Sequence, residues 1–256
     1  MPITLTIEYG VAQVEFNRPE ALNAINVPLA QRLLEICQQL QARADVRVIV
    51  LAGAGRAFMA GGDLVAFRDS AQPAALAAAI IEPLHQALTL LAQMPQIVLG
   101  SVHGAVSGAG MSMALGCDLT LAADDTRFCL AYSAIAASLD GGGSWYLARQ
   151  VGLQRAMRLA LLNEPLSAAQ ALELGLVAEV APAAQLAERT EQLARQLASG
   201  PAGANAAIKR LLRQAGDRSL TEQLDDEQRA FVTCAASEDF REGITAFFAR
   251  RKPQFS

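Results

Sequence analysis

The chain predicts an α/β fold. In its first half, β-rich apolar runs alternate with segments of helical periodicity. Those runs are short and bounded by helices, as buried parallel strands are. The second half turns helical, and capping signals punctuate it.

Ile3–Glu8 and Val11–Phe16 alternate apolar and polar residues around Tyr9-Gly10, which predicts a hairpin. Pro28–Ala42 carries helical periodicity, and Arg47–Ala52 is an apolar run suited to a buried strand. Residues 74–93 read as helix, with the alanine-rich stretch 71–79 as its start rather than a linker. Gln96–Val102 reads as the next strand, Ser107–Leu115 as a helix of small residues, and Leu119–Ala123 as a further strand. Downstream, Ser167 and Gln170 form a capping box, and Gly175 ends that helix. Pro182 suits the first turn of the following helix, which Gly200-Pro201 terminates. Ser219 and Glu222 form a second capping box, and a last helix runs through 238–251. No repeat of fixed period and no low-complexity linker divides the chain.

With 256 residues, 52% hydrophobic and 18% charged, the chain can bury a substantial core and does not read as disordered. A formal net charge of −4 argues against a protein that grips nucleic acid along its whole surface. Lys209 and Lys252 are the only lysines, and no basic stripe appears. The N-terminus lacks the pattern of a signal peptide, and no uncharged apolar run approaches the ~18 residues of a spanning helix. Cys37, Cys117, Cys129 and Cys234 have no metal-ligand spacing and read as buried free thiols. The expectation is a cytoplasmic protein with no metal and no membrane.

Two segments are unusually rich in small residues: Gly53–Leu64, ending Ala60-Gly61-Gly62-Asp63-Leu64, and His103–Ser112, containing Gly108-Ala109-Gly110. With Asn17-Arg18-Pro19, Ala21-Leu22-Asn23-Ala24 and the ending Phe247–Lys252, they make the chain similar over nearly its full length to the enoyl-CoA hydratase/isomerase (crotonase) superfamily. Within it, Leu139-Asp140-Gly141-Gly142-Gly143-Ser144-Trp145 and the ending Asp239–Gly243 through Pro253–Phe255 most resemble the isomerases of phenylacetate breakdown that open an oxygen-bearing ring. The resemblance implies a spiral of ββα turns over 1–195 and a C-terminal helical trimerisation region over 196–256. It also implies an acyl-CoA thioester as substrate, coenzyme A entering only as part of that substrate with no further cofactor, and a homotrimer or dimer of trimers.

Chemistry beside a thioester puts negative charge on the carbonyl oxygen, and fixed backbone N–H groups stabilise it. The resemblance assigns that role to Ala60 and Ala109. Glutamates do the acid–base work in the family's hydratases; their places are filled here by Ser112 and Tyr132. One carboxylate, Asp140, is left, and one base suffices to move a proton between carbons. The competing reading of Asp140 is a helix cap for 141–150. Ser112 and Tyr132 are then pocket walls or substrate partners. Asp63 is expected to fix its loop rather than act as a base.

Ala21, Leu22 and Ala24 are expected to line the coenzyme A path, which Ala60, Gly61, Gly62, Asp63 and Leu64 continue. Gly108 and Leu139 are expected among the substrate-binding residues, the acyl pocket is expected around 65–85 and 130–140, and Arg18 is expected to approach a phosphate. Phe247 and Arg250 reach the coenzyme A of a neighbouring subunit. His103 is expected to be structural and Trp145 to pack at the site's edge. Members of the superfamily that dehalogenate aryl-CoA pair the aspartate with a histidine; Pro83 is expected at that histidine's place, with His85 out of register. The readings that remain are an isomerase, a hydratase and a catalytically inactive acyl-CoA binder. RNA binding, known for some members, lacks its lysine-rich helix here, since 28–43 carries only Arg32 and Arg43.

Overall fold

Tyr9 and Gly10 both take positive φ, and the chain reverses there so that β1 (Ile3–Glu8) and β2 (Val11–Phe16) pair antiparallel over their full length. The computed structural model describes all residues 1–256. After the hairpin come α1 (Val27–Gln41), β3 (Val48–Gly53), α2 (Leu64–Asp69), α3 (Pro73–Gln93), β4 (Ile97–Val102), β5 (Ala105–Ser107), α4 (Ala109–Gly116), β6 (Leu119–Ala123) and β7 (Arg127–Cys129). They are followed by α5 (Gly143–Val151), α6 (Leu153–Leu162), β8 (Leu166–Ser167), α7 (Ala168–Glu173), β9 (Glu179–Ala181), α8 (Leu186–Ala198), α9 (Ala202–Gln214), α10 (Leu220–Ala235) and α11 (Glu238–Phe248).

The main sheet has the order β1-β2-β3-β4-β6-β9, parallel everywhere except in the hairpin. A three-stranded sheet of β5, β7 and β8 stands beside it. Burial on both faces explains why β3 reads as an unbroken apolar run and why β4 is apolar but for Gly100 and the buried Ser101. The large core includes Leu29, Leu33, Ile36 and Leu40 of α1 and Ile80, Leu84, Ala87 and Leu91 of α3. On the sheet's other side, Leu186, Ala194 and Ala198 of α8 cover Val48, Val50, Leu99 and Leu121.

α8 continues through residue 195 to Ala198, and Ser199–Pro201 connect it to the next helix. The helix beyond it is anchored to the core by Lys209. Its buried ammonium donates to the carbonyls of Leu91 (2.9 Å) and Gln96 (2.8 Å) and pairs with Asp118 (2.9 Å). Burial lowers its pKa and the Asp118 carboxylate opposes that effect, so a displaced Asp118 would leave a costly unpaired charge.

One element differs from the sequence expectation, and a second, found where it was expected, is unusually apolar. Ser107–Leu115 is a strand followed by a helix, because Gly108, at φ 53°, turns the chain between them. α3 is 21 residues long and contains an 18-residue window with a mean hydropathy of 1.5, enough by length and composition to cross a membrane. It carries Glu82, and Ile80, Leu84, Ala87 and Leu91 lie in the core.

Candidate active site

The two small-residue segments lie backbone against backbone. Met59 N–H donates to the Ala105 carbonyl, and Ser107 N–H donates to the Met59 carbonyl (3.2 and 2.9 Å). A Cβ added at Gly61 would lie 3.5 Å from the Gly108 Cα, and one at Gly110 would lie 2.4 Å from the Met59 carbonyl oxygen. Larger residues would force the segments apart, which accounts for the small side chains.

Asn23 staples a third segment to this pair. It is fully buried, and its amide donates to the carbonyls of Ala54, Ala57 and Phe58 at 2.8–3.2 Å. Its Oδ1 accepts from the Arg18 N–H (2.8 Å). The Leu22 carbonyl then accepts from the Ala60 N–H at 3.0 Å. That bond corrects the expectation for Ala60: its N–H is already committed and cannot serve a substrate oxygen. Two residues on, Ile25 bridges to both sides of Gly62, giving its N–H to the Gly61 carbonyl (2.7 Å) and taking one from Asp63 (2.9 Å). In extended backbone the intervening residue faces the other way, so the Gly62 N–H points away from Ile25 and bonds no backbone carbonyl.

Ala109 is the first residue of α4, so its N–H has no carbonyl of its own helix behind it. The Gly61–Gly108 contact puts Gly62 and Ala109 each one residue past the point where the segments touch. Both amides are left without a backbone acceptor where the segments touch, and that of Ala109 stands at a helix N-terminus, which favours negative charge.

Ser112 lies one turn into α4, fully buried. Its hydroxyl is 3.2 Å from that of Tyr132, which donates to Asp140 Oδ1. The positions expected to be pocket walls or substrate partners thus form a chain of hydroxyls ending on the carboxylate. No protein donor reaches Asp140 Oδ2. Burial, and then the charge of Asp140, push the Tyr132 hydroxyl well above the usual tyrosine range, so it remains a donor. The glycines after Asp140 let this turn lie on α4: a Cβ at Gly143 would come within 2.5 Å of Ser112 Oγ. Asp140 does not cap α5. Gly142 holds the cap position, without a side-chain cap bond.

Asp140 opens onto a cavity of about 1180 Å³ whose lining includes Leu139, His85, Leu88, Thr89 and Trp145. Trp145 packs edge-on against Tyr146, with the Arg149 guanidinium 4.0 Å above its ring. His85 overturns an expectation. Its Nε2 accepts from the Gly141 N–H at 3.1 Å, so a histidine does accompany the aspartate. Sequence spacing missed it because the contact joins α3 to a turn 56 residues later. His103, by contrast, bonds the Gly55 carbonyl (2.9 Å).

Arg18 differs from expectation too. Its guanidinium is taken up by the Ala24 carbonyl (2.5 Å) and by Asp63 (3.0 Å), so it braces the loop rather than presenting a free cation. Asp63 caps α2 by accepting from Ala66 N–H (3.2 Å), as a loop-fixing residue should. Ala21 and Leu22 are half-buried, Ala24 is buried, and Leu64 is exposed beside them. Phe247 and Arg250 are exposed and lie outside the Asp140 cavity.

Fold and site together define a thioester-handling enzyme class. The model of the enoyl-CoA hydratase/isomerase family matches residues 6–256, and the chain belongs to that family. It is 39% identical to 1,2-epoxyphenylacetyl-CoA isomerase of Escherichia coli (strain K12), covering 98% of this chain and 96% of that protein. It is 31% identical to trans-2-decenoyl-[acyl-carrier-protein] isomerase of Streptococcus mutans, covering 99% and 97%. Among solved structures, an enoyl-CoA hydratase from Polaromonas sp. JS666 superposes with a TM-score of 0.92 at 34% identity, covering 99% of each chain.

Proposed function

We propose that this enzyme is an acyl-CoA isomerase that shifts a double bond, or rearranges an unsaturated ring, next to the thioester. The observation that carries this reading is a single carboxylate, Asp140, held by a hydroxyl chain that starts on the helix bearing one of the two free amides. The Gly62 and Ala109 N–H groups receive the thioester oxygen. Asp140 Oδ2 removes a proton from one carbon. The C–H electron pair moves into the adjacent bond, and charge collects on the oxygen as an enolate. The same proton returns from Asp140 to a different carbon, the enolate collapses, and the base is regenerated. Likeness to two isomerases supports this choice.

Ala21, Leu22, Ala24 and the backbone from Gly61 to Leu64 line the coenzyme A path in this reading. Exposed apolar stripes support self-association: Leu153, Met157 and Leu161 on α6, and Leu220, Leu224 and Phe231 on α10. A trimer or dimer of trimers would cover them and carry Phe247 and Arg250 to a neighbour's coenzyme A. Light scattering on the eluted protein tests this, and a monomer would contradict it.

A second reading, a hydratase, is favoured by one observation: an imidazole, His85, lines the same cavity as Asp140. Separate incubations with 3-enoyl-CoA and 2-enoyl-CoA, followed by mass analysis, decide between the two. Interconversion at constant mass supports the isomerase, and gain of one water supports the hydratase. If neither changes, the acyl group to test is a ring epoxide.

A further inference from the structure

We propose that His85 is a positioning residue for Asp140, an inference that rests on Asp140 being the proton carrier. Asp140 is held at three points, one of them its own carbonyl, which accepts from the Gly143 N–H at 2.9 Å. Tyr132 fixes one carboxylate oxygen, and His85 fixes the peptide that follows, through the Gly141 N–H. Gly141 sits at φ 58°, a left-handed conformation that leaves its N–H outside any helix or sheet ladder. No backbone carbonyl accepts that N–H, so the imidazole is its partner. An acceptor Nε2 carries no proton, which puts the ring's proton on Nδ1.

The plane of the Asp140–Gly141 peptide sets where the Asp140 Cβ points. Releasing its N–H would leave that peptide held only through the Asp140 carbonyl, free to rotate about this bond and to carry the carboxylate with it. α3 is a firm support for this role: Leu84, next to His85, is 1% exposed in the core, and Leu88 and Thr89, one turn on, line the same cavity. Proton transfer between carbons of one bound acyl chain needs Oδ2 aimed at both, so the hold acts on turnover rather than on affinity.

Three variants test this on the whole protein: H85L, which removes the acceptor; H85Q, whose Oε1 can replace Nε2; and D140N. H85L should lower kcat by about 10- to 100-fold, the loss expected when a reacting group slips by ~1 Å. Its affinity for a saturated, unreactive acyl-CoA should stay at the wild-type value, and H85Q should recover most of the rate. Nitrogen-15 spectra of the imidazole should show an unprotonated, hydrogen-bonded Nε2. The proposal is overturned by wild-type kcat in H85L, by H85Q as slow as a folded H85L, or by a proton on Nε2. An ester between the Asp140 carboxylate and a carbon of the substrate's chain or ring, accumulating in H85L, would also overturn it, making His85 the base that activates water to cleave that ester. An active D140N defeats the proton-carrier reading itself; an inactive D140N with an unimpaired H85L defeats only the role of His85.

Discussion

The Tyr132 hydroxyl donates to the Asp140 carboxylate and in turn neighbours the Ser112 hydroxyl at 3.2 Å. The serine and the tyrosine thereby support a single carboxylate. Y132F removes the donor and keeps the ring, so packing of this buried side chain is preserved. It should reduce kcat about tenfold, equivalent to ~1.4 kcal/mol, with acyl-CoA affinity nearly unchanged. Steady-state kinetics with a parallel binding measurement check this.

The contact between the small-residue segments tolerates no methyl group at Gly110, whose added Cβ would lie 2.4 Å from the Met59 carbonyl oxygen. G110A should cost about 1–3 kcal/mol through overpacking. At this chain length that is roughly 3–10 °C in Tm. It should also depress kcat by moving the adjacent Ala109 N–H, so calorimetry and kinetics should report a joint loss.

Asp63 braces the loop twice, as the cap of α2 and as the partner of Arg18 at 3.0 Å. D63A should cost ~1–2 kcal/mol, mostly from the lost cap. A double-mutant cycle with R18A should show coupling of about 1 kcal/mol or less, since the pair is only partly buried. Urea denaturation of the four proteins measures both quantities.

Burial pushes the Cys37 thiol up to about 12. At pH 8 only ~10⁻⁴ of it is thiolate, the form that alkylates. Iodoacetamide followed by peptide mass mapping should therefore leave Cys37 unmodified in the native protein and modify it in urea. Rapid native labelling would contradict its burial.

The main elements were legible because their signals are local. β1 and β2 announce themselves by alternation, and both capping boxes form between the residues expected, Ser167 with Gln170 and Ser219 with Glu222. Asp140, Ser112 and Tyr132 could be singled out because they stand in or beside recognisable motifs. Three features were hidden, each for a physical reason. Which amide of the first segment is free depends on its pairing with Leu22 and Ile25, so the sequence pointed to Ala60 where the backbone frees Gly62. His85 reaches Gly141 only because α3 and the Asp140 turn pack together. β7 and β8 have three and two residues, too short for periodicity to reveal.

The most direct test of the proposed chemistry is D140N against the wild-type enzyme, on whichever enoyl-CoA isomer the wild type converts. Turnover and binding of an unreactive acyl-CoA are measured side by side. D140N should bind normally and convert nothing, because an amide cannot carry the proton from one carbon to the next. Conversion at a near-normal rate would show that the proton travels through another group, and Asp140 would lose its role.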